Sequence, residues 1–492
     1  MRTWFSIDPR SLALFRMVLG VLLLADLFVR ATDLDAMYTD DGMFSRAEIC
    51  RRATSIWNWS FHFGGGSWGY QAMLFGIAAV LALALLGGFE TRLVTIGSWL
   101  MLVSVHHRVP PILSGAENLL RMLLFWAMFL PLGRAWSLDG WLAQRRGQTL
   151  RKDEPSPVLS VATAAVLLQM GFVYLFSAIF KSNEAWWRGE AIAGVLAHSF
   201  YASPPAAYLL HFPQLMKVMT WGTFALEWAA PFLLFCPRFT ARVRLGLIAA
   251  LGAMHLGIGI LLEVGLFSYV SLAGLVLFVP PEFWNSGPLA RFLGTSAVGG
   301  PVAEPARPLA RKSSPVHYAT QAFCLLMLLY MCALNLNSLP SLPLAPWTPE
   351  KWRPLTRGLG FSQMWGMFGS VPSKDGWYVA RAKLQDGSEV DLLRQGALVD
   401  WRKPEFPARN YPNYYWQKIF REMAYDDEQG FQLFRVPVAR FLCRRWNKLH
   451  PEDKQIAEFE LIYCTLTQTR RGDITVSELS REPLARLDLS GS

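Results

Sequence analysis

The chain has 492 residues, a formal net charge of +10, 52% hydrophobic residues and only 17% charged ones, with a mean hydropathy of +0.24. That balance excludes a row of ordinary soluble domains and marks a polytopic membrane protein. Much of the basic excess lies in short loops between apolar runs, where it sets orientation in the membrane, and no nucleic-acid partner is expected.

About nine apolar segments follow one another, at roughly 11–29, 70–88, 92–109, 117–132, 157–180, 219–236, 243–262, 264–280 and 318–336. Several are short against the roughly 20 residues a perpendicular span needs. The first, Leu12 to Val29, lacks a small-residue cleavage site and reads as a retained span. The loop after it is acidic (Asp33, Asp35, Asp40, Asp41), whereas basic clusters follow the fourth, sixth and eighth segments (Arg134, Arg145, Arg146, Arg151 and Lys152; Arg238, Arg242 and Arg244; Arg291, Arg307, Arg311 and Lys312). The positive-inside rule then predicts a cytoplasmic N-terminus and an extracytoplasmic chain beyond Asn337, in a multi-pass cell-membrane protein.

The sequence thus divides into a membrane domain at 1–284, a Pro/Gly/Ala/Arg-rich cytoplasmic loop at 285–317, a last membrane helix at 318–338 and a tail at 339–492. In the tail GWYVARAKL and SEVDLL, joined by Gln385-Asp386-Gly387, predict a β-hairpin. AEFELIYCTLTQT predicts a further strand, and NYPNYYWQKIF and VPVARFLCRRWNKLH predict helices. The expected fold is therefore an integral-membrane all-α bundle of about nine helices with a C-terminal extracytoplasmic α+β domain. Six cysteines are scattered without metal-type spacing; in an oxidising compartment Cys443 could pair with Cys464, or either with Cys50.

No Walker A loop, Gly-x-Ser-x-Gly elbow or His-Glu-x-x-His is present, and Gly64-Gly65-Gly66 reads as a turn. The ionisable residues inside apolar segments carry more information, because each is costly in lipid and should face the bundle interior. They are Arg16, Asp26, Arg121, Glu227 and His255. Arg16 and Asp26 lie about 15 Å apart along a helix and so need partners on other segments, as structural glue or as part of a site. His106 and His107 point about 100° apart and make a poor metal pair.

The stretch from Tyr174 to Leu196, YLFSAIFKSNEAWWRGEAIAGVL, ends an apolar helix in one lysine followed by two tryptophans. Lys181 has two readings. It can snorkel to the headgroups beside interfacial Trp186 and Trp187. Alternatively, partial desolvation populates its neutral amine and makes it a base.

Four ordered stretches now carry a resemblance: SLALFRMVLGVLLLADL, FLPLGRAWSLDGWL, the Tyr174–Leu196 stretch, and MHLGIGILLEVGLFSYVSLAG. Together they resemble the membrane domain of vitamin K-dependent γ-glutamyl carboxylase and, more closely, its bacterial relatives, the horizontally transferred transmembrane (HTTM) domain proteins. The tail, with GFSQMWGMFGSVP, is similar to the tails of those bacterial proteins. The resemblance places Lys181 where the carboxylase has the lysine thought to deprotonate vitamin K hydroquinone, with His255 and Glu227 on polar positions of the family. It departs at Ala116, where the animal enzyme has a histidine, and at Phe180, where it has a lysine.

The resemblance implies a membrane-embedded γ-carboxylase-like enzyme, in which a reduced vitamin K-type quinone and oxygen generate a strong base. That base removes a γ-proton from glutamate and the carbanion takes up carbon dioxide. Lys181, Glu227 and His255 would be the catalytic groups, and Tyr174, Phe176, Trp186 and Trp187 the quinone wall. Lipid, quinone and an extracytoplasmic peptide or protein are the implied partners, and no metal is implied. The alternative is a non-enzymatic accessory factor for maturation or export of a secreted peptide; transport is disfavoured by the absence of paired interrupted segments.

Overall fold

The computed structural model describes residues 2–52, 58–146, 156–198, 200–286, 314–339, 349–371, 375–424, 431–471 and 474–489. Every one of the nine apolar segments contains a helix: α1 Pro9–Ala31, α2 Trp68–Gly87, α3 Thr91–Arg108, α4 Gly115–Ala127, α5 Val161–Phe180, α6 Pro213–Leu233, α7 Thr240–Leu261, α8 Phe267–Val276 and α9 Pro315–Asn337. Five of them (α1, α2, α5, α7 and α9) are long and apolar enough to cross a bilayer. Among the others, α4 has 13 residues and is buried along nearly its whole length, and α8 has 10. Lengths of that order suit core helices shielded by neighbours better than isolated lipid-facing ones. The expected loop at 285–317 falls mostly outside the described residues.

Local chemistry sets the helix ends. Asp8 accepts from the Arg10 amide at 2.8 Å and Pro9 opens α1, a favourable first-turn arrangement. Ser114 and Glu117 form a reciprocal capping box on α4. The Trp136-Ser137-Leu138-Asp139-Gly140 string is a structural clasp. Asp139 caps the start of α3 by accepting from the amides of Glu90 (2.8 Å) and Thr91 (3.3 Å). The carbonyl of Trp136 accepts from Arg16 at 2.6 Å. Gly88 ends α2 at φ +73°, and a side chain there would collide with the Arg16 guanidinium. Gly20 lets α1 and α2 close up, since an added Cβ would lie 2.8 Å from that of Leu86.

α5 lies at the centre of the bundle, in contact with α4, α6, α8 and α9. The tail follows the predicted pattern. β1 (Gly376–Leu384) pairs with β2 (Glu389–Asp391) as a hairpin, and β3 (Ile456–Arg471) lies antiparallel to β1. Helices α10 (Tyr414–Met423) and α11 (Arg435–Leu449) occupy the predicted helical stretches. The sequence reading omitted β4 (Ile474–Asp488), which completes an antiparallel sheet of order β2-β1-β3-β4. Pro483 interrupts its alternation; as an edge strand with a register shift opposite Leu461/Ile462, β4 tolerates a proline that a central strand would not. The six cysteines are all free thiols, so neither pairing considered for Cys443, Cys464 and Cys50 is present.

Candidate functional site

Tyr174, Ser177 and Lys181 recur at i, i+3 and i+7 and so share one face of α5. Lys181 is the C-cap residue, its amide donating to the Ser177 carbonyl at 3.0 Å, where the helix dipole favours a cation. Its ammonium donates to Ser177 Oγ (2.5 Å) and to both carboxylate oxygens of Glu227 on α6 (2.8 and 2.7 Å). The Trp186 ring lies 5.3 Å from Nζ. Lys181 is 4% exposed and Glu227 5%, so the charge is answered inside the protein and does not snorkel.

Two turns back along α5 from Lys181, the Tyr174 hydroxyl lies 3.0 Å from Nε2 of His255 on α7. The other ring nitrogen, Nδ1, is buried without a hydrogen-bond partner among the described residues, as are the hydroxyls of Ser268 and Ser271 on α8. Phe267 packs edge-on against the imidazole at 5.8 Å. The structure therefore brings Lys181, Glu227, His255, Tyr174 and Trp186 to one buried place where three helices meet. Phe176 and Trp187 do not join them. Phe176 is turned to another face of α5, against Phe172, and Trp187 is 61% exposed, its carbonyl accepting from Trp221. Adjacent helical positions diverge by about 100°, so neighbours in sequence part company here.

The other intramembrane charges are mostly scaffold. Asp26 pairs at 2.7 Å with Arg30 on its own helix, a correction to the expectation of partners only on other segments; the i, i+4 spacing was there to be read. It also accepts from the Tyr415 hydroxyl of the tail at 2.5 Å. Arg121 reaches His106 Nδ1 (3.0 Å) and the Gly360 carbonyl (3.1 Å), and His107 lies between the carbonyls of Trp59 and Arg357. Arg244, read as a loop cation, lies within α7 and donates to the carbonyls of Leu234 and Trp4. Ala116 is buried in an apolar cluster with Val195 and Phe267.

A segment assigned from sequence to the tail enters the bundle. Phe361 meets Phe125 at 4.8 Å, Gln169 of α5 donates to Gln363 at 2.8 Å, and Trp365 is fully buried. The same segment closes over the lysine. Asn183 donates to the Gly369 carbonyl at 2.5 Å and Trp186 to that of Phe368 at 3.0 Å.

On the far side of this segment lies a cavity of about 860 Å³ between the bundle and the tail. One wall is apolar, with Val264, Phe267, Met367 and Phe368; the other is the α10 face bearing Tyr414, Lys418, Arg421 and Glu422. Lys181, Glu227 and His255 are not among its lining residues, so this cavity is distinct from the lysine cluster. Phe267 belongs to both, touching His255 and lining the cavity. Sequence reasoning missed the α10 residues, although their i, i+4, i+7, i+8 spacing puts them on one helical face.

No solved structure matches the chain. A family model does: the HTTM domain matches residues 4–284, which hold α1 to α8, the Trp136–Gly140 clasp and the whole Lys181 cluster. Several apolar helices, that clasp and the match over more than half of its length place this chain in the HTTM domain family.

Proposed function

We propose that this chain is a membrane enzyme of the carboxylase-related kind, in which the Lys181–Glu227 pair handles a proton taken from a reduced quinone. The observation that carries the proposal is the buried ammonium held by Glu227 and Ser177 beside the Tyr174–His255 pair. A solvent-exposed lysine with a pKa near 10.4 would offer little free amine at neutral pH. Here a proton can pass from Nζ to a Glu227 oxygen 2.7 Å away, leaving a neutral amine and a carboxylic acid with no charge separated in a medium of low dielectric. The amine then accepts the proton of an incoming hydroxyl group, while Ser177 holds its orientation. A reduced quinone, once deprotonated, would supply the electrons for oxygen chemistry. The chain's own contribution is to place the base and to exclude water, which the covering segment 361–369 and the Trp186 ring serve. The unpartnered His255 Nδ1 and the Tyr174 hydroxyl are the polar groups fitted to hold such a ring.

In this reading all nine helical segments belong to the membrane domain, the N-terminus is cytoplasmic, and the tail offers an extracytoplasmic peptide or protein its docking surface. Its glutamate would be the group modified. Mass spectrometry of secreted peptides from cells with and without the protein tests this: the expected result is a carboxyl-sized mass increase on glutamate that disappears with the protein. Unmodified peptides whose secretion nevertheless depends on the protein would overturn the enzymatic reading in favour of an accessory role.

A further inference from the structure

Helix α10 is unusual for its burial. Tyr415, Trp416, Ile419, Phe420 and Met423 supply an apolar body, yet Lys418 is only 9% exposed and Arg421 6%. Buried charges are costly unless paired and hydrogen-bonded. Pairing here is incomplete: Lys418 reaches Glu422 at 2.6 Å and Arg421 reaches the same carboxylate at 3.2 Å. Among the described residues, these two cations thus share one anion. Arg421 lies over the Tyr201 ring at 4.6 Å, and its Nη1 is buried with no hydrogen-bond partner among the described residues. Burial and the neighbouring Arg421 hold the Lys418 amine below its ordinary value. The nearby Glu117 does not supply the missing anion, being engaged by Ser114 at 2.6 Å and Arg30 at 3.7 Å. Across the cavity Val264, Phe267, Met367 and Phe368 supply an apolar patch, with Ser114, Asn118 and Ser370 also in the lining, and Met367 can adapt its shape to an occupant.

We infer that the cavity between α10 and the bundle is a binding site for an amphipathic monocarboxylate, its carboxylate on Arg421 and Lys418 and its apolar body against Phe267, Met367 and Phe368. One surplus positive charge matches a monoanion, and a guanidinium edge suits the planar two-oxygen geometry of a carboxylate. A volume of about 860 Å³ falls in the range of small-molecule sites. The inference rests on the cavity alone and holds whether or not Lys181 acts as a base.

The test is calorimetric titration of the full-length protein in amphipol. The probes are octanoate, with octanol as its uncharged counterpart, and an apolar end-blocked peptide with a single glutamate, with its glutamine counterpart. Saturable binding of either carboxylate, but not of its counterpart, is expected, and Arg421→Gln should weaken it by about 30-fold or more. Octanoate alone binding identifies a free acid as the source, and the peptide alone a side-chain carboxylate. If Arg421→Gln does not yield monodisperse protein, Met364→Trp decides: Met364 is a cavity residue 59% exposed, and the bulkier ring should block entry of both probes. No saturable binding of either carboxylate, equal binding of the uncharged counterparts, or undiminished binding in the deciding variant overturns the inference.

Discussion

At the scale of single residues, Lys181 and Glu227 make sharp predictions because both are buried and each is the other's partner. Lys181→Arg keeps the charge but cannot release a proton, so activity should fall by about 100- to 10,000-fold, the ordinary contribution of a general base, while the protein still assembles. Full turnover in that variant would return the lysine to a purely structural part. Glu227→Ala strands an ammonium in the interior and should cost about 3–5 kcal/mol, whereas the double change to Lys181→Met and Glu227→Leu should restore much of that loss; thermal melting of the purified variants separates the two. Lys181 stood out in the sequence as the one cation closing a long apolar helix, and Glu227 and His255 as charges out of place. Ser177 did not stand out, since a serine four positions before a lysine is common, and only the partner on α6 gives it meaning. Trp187 misled because a tryptophan pair looks like one feature, although the helix turns its members apart.

At the scale of elements, the sheet and α10 carry the testable consequences. Asp391 ends β2 fully buried, accepting from the amides of Ala380 (3.1 Å) and Leu393 (3.0 Å), while its second oxygen accepts no hydrogen bond among the described residues and lies 3.8 Å from Arg394 Nε. Burial raises this carboxyl above its ordinary value, outweighing the two amides. Between about 3.9 and that raised value the folded state holds a proton that the unfolded state has released. Asp391 therefore makes stability fall as pH rises through that window, and Asp391→Asn should flatten this part of the melting-temperature profile above about pH 4. On α10, Tyr415→Phe removes the hydrogen bond to Asp26 and should cost about 1.5–3 kcal/mol by thermal melting in detergent, as for hydrogen bonds to charged groups. The hairpin was legible because Gln385-Asp386-Gly387 gives both the turn and the left-handed glycine, at φ +84°. β4 was not, because its proline and dense charges conceal a strand whose only partner is a long neighbour.

At the scale of the whole molecule, the order of the apolar segments was legible but their lengths were not a reliable guide to what each one does, since α4 and α8 are enclosed by protein. A reporter active only when exported, fused after Asn337, should be active; an inactive fusion that is nevertheless made and stable would change the number of crossings by an odd count. The joint between bundle and tail was invisible in sequence because no local pattern announces that residues 357–369 turn back inward. They supply the Gly358 carbonyl to Trp59 (2.8 Å), the Gly360 carbonyl to Arg121 and the side chain of Gln363 to α5. During synthesis, helices α1 to α9 leave the ribosome with those positions vacant. A polypeptide stopped at residue 338 would hold the entire family-defining region, yet it would present Arg121, Gln169 and the floor of the lysine cluster without their cover. Such a truncated product should be a substrate for membrane quality-control proteases, and supplying the missing C-terminal piece as a separate polypeptide should protect it.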